Sequence, residues 1–220
     1  MTPRLVSFDV YGTLVDVRAG SRAAFEAILA ACGGRGVDPL EFWEHWEAGN
    51  IRRYREPYRS YREICRHSLA ESFARFGLRG NPGEIDRYFS AFPSFSRFAE
   101  VDEVLERLGR RYPLAIVSNI DDELLAVTPL GRRFDLVCTA EGARGYKPDG
   151  TLFRHLLEKS GVEPGDLLHC GQSQYTDLVG AKPLGIKVAW INRRGLTLGP
   201  GVPAPDFEYR DLRPLAELIL

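Results

Sequence analysis

The 220 residues are 44% hydrophobic and 27% charged, with a formal net charge of −1. That is enough chain for a sizeable core with a large insertion, and near-neutrality excludes the electrostatic footprint expected of a nucleic-acid or anionic-membrane binder. The apolar runs are too short to span a bilayer, and the first residues lead straight into a strand pattern, with no signal-peptide layout expected.

Cys32, Cys65, Cys138 and Cys170 are scattered. They show no metal or disulfide spacing, and read as small core hydrophobes in a reducing, cytoplasmic setting.

In chain order, Leu5 to Phe8 is an apolar run ending in Asp9, followed at once by Tyr11-Gly12-Thr13-Leu14. This reads as a buried strand and a tight turn, with Asp9 at the strand's carboxyl end. Ligands of α/β sheets gather there. Asp9 could equally cap the turn. Arg18 to Ala31 predicts a helix stopped by Gly33-Gly34. Asp38-Pro39 opens a second, with Asp at the N-cap and Pro at the first position. Pro57 restarts a helix that runs to Phe76, and Asn81-Pro82 opens another towards Phe89. Residues 18–92 therefore read as all-helical and rich in aromatics.

From Pro93 the pattern changes. Val101 to Leu108 predicts a helix, Leu114 to Asn119 a second buried strand, and Phe134 to Cys138 a third. A helix from Leu152 to Lys159 precedes a fourth strand, Leu167 to Cys170. After Gly171 to Asp177 come a helix with Ala181 and Leu184, and a fifth strand, Val188 to Ile191. A Gly/Pro-rich loop, Gly195 to Pro205, and a helix from Leu212 to Leu220 close the chain. Strands alternating with helices predict an α/β fold: a Rossmann-like core whose parallel sheet is covered by helices, with an inserted all-helical cap. The expected division is a core of 1–17 and 93–220 and a cap of 18–92.

The strand ends offer Asp9, Ser118-Asn119, Lys147 and Asp177. Two carboxylates and an ammonium along one sheet edge could form a nucleophilic site. Taken singly, Lys147 could be a solvated lysine, Asp177 a helix cap and Ser118-Asn119 a strand-end turn. Trp43, Trp46 and Trp190 read as core, Phe92, Phe95 and Phe98 as hinge packing, and no histidine has metal or triad spacing.

In this order, Asp9-x-Tyr11-Gly12-Thr13-Leu14, Ser118-Asn119, Lys147-Pro148-Asp149 and Gly171-x-Ser173 with Asp177 resemble the haloacid dehalogenase superfamily of hydrolases. The resemblance covers nearly the whole chain. It implies that Asp9 is a nucleophile forming a covalent aspartyl ester and that Lys147 neutralises charge. It further implies that Thr13, Ser118 and Asn119 bind the transferred group and that Asp177 closes the site.

Most members are magnesium phosphatases. They carry a second aspartate where this chain has Tyr11, and a metal-binding aspartate where it has Gln172. A phenol is a poor acid at neutral pH, and losing a carboxylate weakens a magnesium site. Tyr11 is instead what the metal-free 2-haloacid dehalogenase branch shows. That branch implies a small carboxylate substrate, no cofactor, and a cap arginine gripping the substrate, here Arg52 by spacing from Tyr61, with Arg53 the alternative. Tyr11, Gln172 and Ser173 would line the substrate site. The branch has a tyrosine where this chain has Phe153, and a serine and an asparagine at Gln172 and Gln174. The rivals are a magnesium-dependent phosphatase, holding its metal by Asp9, the Tyr11 carbonyl and Asp177, and a non-catalytic binding descendant. A homodimer is compatible with the Tyr- and Trp-rich cap.

Overall fold

Alternation along the strands sets the layers of this protein, whose computed structural model describes residues 2–219. Strands β1 (Leu5–Phe8), β2 (Leu114–Ser118), β3 (Leu136–Thr139), β4 (Leu167–Gly171), β5 (Lys187–Ile191) and β6 (Phe207–Tyr209) form one sheet in the order β3-β2-β1-β4-β5-β6. Every pairing is parallel. Val6, Phe8, Ile116, Leu168, Cys170 and Ile191 point into one apolar cluster. Leu5, Ala115, Val117, Leu167, Val188 and Trp190 point into another on the opposite face. A period of two with both faces buried explains why the strands read as continuous apolar runs.

The helices are α1 (Val17–Ala31), α2 (Pro39–Arg53), α3 (Tyr61–Arg75), α4 (Asp86–Ser90), α5 (Val101–Gly109), α6 (Asp122–Val127), α7 (Ala140–Ala143), α8 (Thr151–Ser160), α9 (Val179–Ala181) and α10 (Arg213–Ile219). Helices α1 to α4 lie between β1 and β2 in the chain, and α2 packs on α3 and α1. Their apolar side is continuous with the first cluster, so Phe25, Phe42, Trp46 and Tyr88 share one core with Phe8 and Ile116. The expected α/β architecture with an all-helical insertion is what the chain forms. Among the described residues no helix is long and apolar enough to cross a membrane.

Four local outcomes differ from expectation. Helix α3 starts at Tyr61 rather than at Pro57, because Ser60 and Glu63 form a reciprocal capping box there. The third strand starts at Leu136 rather than Phe134, and the short elements α6, α7 and β6 had no apolar periodicity to announce them. Of the cysteines, Cys65, Cys138 and Cys170 are buried as expected, whereas Cys32 is only partly so. The last helix is seen to Ile219; Leu220, its expected end, lies outside the described residues.

Strand order places the switch point between β1 and β4: from β1 the chain steps outward to β2 and β3, then returns to the other side of β1. A crevice therefore opens beyond the carboxyl ends of β1 and β4. The insertion is tied down at its edge by Asp121, in the turn after β2. Its carboxylate accepts the Tyr61 N–H at 2.7 Å and the Arg62 N–H at 3.0 Å, while the Ser60 hydroxyl accepts from Glu63. Three of the four free N–H groups of the first turn of α3 are thereby satisfied. Asp121→Ala should lower stability by about 2 kcal/mol through loss of charge-assisted bonds. Urea unfolding at neutral pH measures it, and an unchanged midpoint would remove Asp121 as the tie.

Candidate active site

Asp9 follows β1 directly and is 8% exposed. Its Oδ2 accepts from the Thr13 hydroxyl at 3.0 Å, and Thr13 Oγ1 in turn accepts from the Gln172 N–H at 2.9 Å. The turn between them needs Gly12, whose φ is +88° and where a Cβ would come within 2.9 Å of the Gln172 side chain.

Lys147 approaches from the other side. Its ammonium donates to Asp9 Oδ1 at 2.9 Å, to Asp177 Oδ1 at 2.6 Å and to the Val117 carbonyl at 2.9 Å. Three donors meet three acceptors, so Lys147 is saturated. Asn119 fixes this lysine by its main chain, accepting the Lys147 N–H at 2.8 Å and donating to its carbonyl at 2.9 Å.

Asp177 is fully buried, at 0% exposure. Besides Lys147 it accepts from the Ser173 N–H at 2.9 Å and from His169 Nε2 at 3.1 Å. Burial alone would raise its pKa, but Lys147 and His169 hold it below the carboxylate range. Asp9 lacks the histidine and faces the charge of Asp177. Burial pushes its pKa up despite Lys147, which leaves a basic carboxylate at the crevice. Burial also lowers the His169 pKa, so the ring is neutral. With Asp177 able only to accept, Nε2 carries the proton and Nδ1 accepts from the Ser7 hydroxyl at 2.9 Å. Sheet register creates that bond, since Ser7 of β1 is paired with His169 of β4. The sequence alone assigned His169 no role. Phe153, a departure from the pattern of the branch it resembles, packs edge-on against its ring.

Asp9, Tyr11, Ser118, Asn119, Lys147, Gln172 and Ser173 all line one cavity of about 210 Å³ at this crevice. Thr13 and Asp177 lie behind it, touching Asp9 and Lys147. The Asn119 amide is taken up by the Lys147 main chain, whereas the buried Ser118 hydroxyl has no hydrogen-bond partner among the described residues. Tyr11 is turned aside. The Thr128 hydroxyl donates to the Leu124 carbonyl, so it accepts from the Tyr11 hydroxyl at 2.8 Å, and burial drives that phenol's pKa up.

Arg52, expected to grip substrate, does not line the cavity; its side chain is 54% exposed and pairs with Glu71 at 2.6 Å. Arg53, the alternative, binds Glu71 too, at 2.8 Å. Helix geometry gives the reason. At about 100° per residue, Trp43, Glu47, Asn50 and Tyr54 fall within an arc of about 60° facing the cavity, and Arg52 lies about 180° from Trp43. The arginine that does reach the cavity is Arg194, from the loop after β5, which the sequence reading passed over. Its neighbour Arg193 donates to the Thr13 carbonyl at 2.7 Å and to Glu100 at 2.6 Å, bracing the turn after Asp9. Trp43 and Trp46 are core side chains as expected, yet both also form cavity wall.

A divalent cation does not fit these residues. The carboxylate oxygens of Asp9 and Asp177 that would hold it already share the Lys147 ammonium, and position 172 offers an amide. Among the described residues no group of three or more His, Cys, Asp or Glu side chains is placed to hold a metal.

The family model for haloacid dehalogenase-like hydrolase matches residues 3–185. The chain is 26% identical to (S)-2-haloacid dehalogenase 4A of Burkholderia cepacia, over 96% of this chain and 89% of that one. It is 28% identical to phosphoglycolate phosphatase 1 of Pseudomonas aeruginosa, over 98% and 80%. It superposes on the crystal structure of an L-2-haloacid dehalogenase with a TM-score of 0.85 and 25% identity, covering 100% of this chain and 99% of the other.

Removing the shared ammonium tests this electrostatic account. Lys147→Met leaves two buried carboxylates unpaired and should cost about 3–5 kcal/mol of stability at pH 7. Without Lys147 the Asp177 pKa rises above its unfolded value and that of Asp9, already raised, climbs further, so the folded variant takes up protons and its deficit should shrink as pH falls from 7 towards 4.5. Denaturation midpoints at the two pH values check this; equal deficits would show that packing, not charge, is what Lys147 supplies.

Proposed function

The chain belongs to the haloacid dehalogenase-like hydrolases, and from that premise we propose that it releases halide from C2 of a small carboxylate through an ester on Asp9. The observation that carries the reading is the state of Tyr11. Its hydroxyl donates to Thr128, so no acid stands two residues beyond the nucleophile to protonate a departing alcohol. A halide leaves as a stable anion and needs none.

In the first step the Asp9 carboxylate displaces halide at C2, forming a carbon–oxygen bond as the carbon–halogen bond breaks. In the second, water adds to the carbonyl carbon of the ester, Asp9 Cγ, and the tetrahedral intermediate collapses by breaking the bond between Cγ and the ester oxygen, which leaves with C2 and takes up a proton. This frees Asp9, a 2-hydroxy acid and a proton. Lys147 and the Thr13 hydroxyl, each within 3.0 Å of an Asp9 oxygen, are placed to stabilise charge on that intermediate. Asp177 keeps Lys147 protonated and in position, and is the ionised carboxylate that remains beside the ester as water attacks. The substrate-binding roles of Tyr11, Ser118, Asn119, Gln172 and Ser173 are those of cavity wall.

The insertion of 18–92 acts as a cap on the core of 1–17 and 93–220. Its helix α2 supplies the wall facing Asp9. Four free cysteines support a reducing, cytoplasmic setting. The magnesium phosphatase reading has the similarity to phosphoglycolate phosphatase 1 behind it; the Tyr11 hydroxyl committed to Thr128 and the amide at Gln172 stand against it.

Halide release from 2-chloropropionate should persist under exhaustive chelation, and Asp9→Asn should fall below about a thousandth of the wild-type rate with the fold intact by circular dichroism. The same preparation, given magnesium and a phosphate ester, should release little phosphate. Magnesium-dependent phosphate release with no halide release would exchange the two readings.

A further inference from the structure

A substrate carboxylate is bound more tightly where positive charge meets it, and Lys147 has no free donor to offer one. Its three donors are bound to Asp9, Asp177 and Val117. With His169 neutral, the buried trio of Asp9, Asp177 and Lys147 carries a net negative charge when both acids are ionised. Among the described residues Arg194 is the other cationic side chain lining the cavity.

Arg194 stands at the mouth, 39% exposed, and uses one of its donors, to Glu44 at 3.3 Å. Glu44 already has a closer partner in Arg18 at 2.8 Å. The guanidinium of Arg194 is therefore able to turn to an incoming anion without stranding Glu44.

Beside it on α2 stands Glu47. It lines the cavity, is partly buried, and forms no hydrogen bond among the described residues. The groups that face it are Arg194 from the loop after β5, Glu44 on its own helix, Arg18 from α1, and the phenols of Tyr54 and Tyr88. Burial, with Glu44, pushes its carboxyl up to about 7 in spite of Arg194 and Arg18. An ionised Glu47 would repel a carboxylate held by Arg194, and a protonated one would donate a hydrogen bond to it.

We propose that Arg194 and Glu47 form the carboxylate subsite of this cavity, the guanidinium pairing with the substrate carboxylate and Glu47 joining it as the protonated acid. Binding then draws one proton from solvent, and the anion is held on the side of the cavity away from Asp177. The assignment rests on the carboxylate reading of the substrate. It places the gripping arginine on the core loop rather than on the cap.

The test has a kinetic and a binding arm. With 2-chloropropionate, wild-type kcat/KM should fall about tenfold per pH unit above pH 7, because the protonated fraction of Glu47 falls at that rate. Glu47→Gln, a fixed mimic of the acid, should flatten that fall and give a lower KM than wild type at pH 8. Arg194→Ala should raise KM about tenfold, the lower end for a charge-assisted contact, with a much smaller change in kcat.

In the binding arm, calorimetric titration with propionate at pH 8 in two buffers of different ionisation enthalpy should show uptake of about one proton by wild type. Glu47→Gln should show almost none, and Arg194→Ala should lose affinity. This arm stays decisive if no haloacid turns over, an outcome that would sink the dehalogenase reading alone. Propionate binding unaltered by Arg194→Ala, no propionate binding by wild type, or a pH dependence that survives in Glu47→Gln would overturn the subsite.

Discussion

One ammonium shared by two buried carboxylates holds the site together. Lys147 is 1% exposed and Asp177 0%, and charges so placed are tolerated only when paired and fully hydrogen-bonded. Each partner is therefore anchored from a different strand end. Asp9 hangs on β1 and is steadied by Thr13. Asp177 follows β4 and is steadied by His169 and Ser173. Lys147 follows β3 and is clamped by Asn119 from the end of β2. Four parallel strands thus converge on one charge cluster, and their register fixes its geometry more tightly than loops could.

That convergence explains which parts were legible in the sequence. The strand runs were readable because both sheet faces are buried. Asp9, Lys147 and Asp177 were readable because each falls in a short stretch after a strand, Asp9-x-Tyr11-Gly12-Thr13, Lys147-Pro148-Asp149 and Gly171-x-Ser173 with Asp177, and the order of those stretches carries the family resemblance. The start of α2 was readable because Asp38, Pro39 and Glu41 carry their own capping chemistry. His169 was not: it occupies an apolar strand where a buried ring looks like filler, and its role depends on Ser7 lying in register across β1.

Arg52 failed for a different reason. Spacing along a helix fixes an angle only relative to the side that faces the cavity, and that side was unknown. Trp43 and Trp46 looked like core, so the stripe through Glu47 and Asn50 went unnoticed, and with it the fact that Arg52 points the other way. Arg194 was hidden by its setting. It opens a Gly/Pro-rich stretch with no periodicity, held in place by contacts remote in sequence. Gln174 accepts the Gly199 N–H at 2.6 Å and donates to the Thr197 carbonyl. Gln174 stands where the related branch has asparagine, and its longer amide is used to tether this loop.

Chemistry and recognition consequently rest on different kinds of structure. The residues around Asp9 are bonded to one another and to strand ends, so exchanging any of them leaves a buried charge or polar group unmatched. The wall opposite is one stripe of α2 with the loop bearing Arg194 and Leu196, where among the described residues the Trp43 indole N–H finds no hydrogen-bond partner. Bonds from that loop region to the turn after Asp9 run through Arg193, not Arg194. The wall can therefore change its polarity, and with it the substrates admitted, without loosening the ion trio. For the same reason, a likeness that runs over the whole chain says more about the fold that carries the trio than about what the cavity selects.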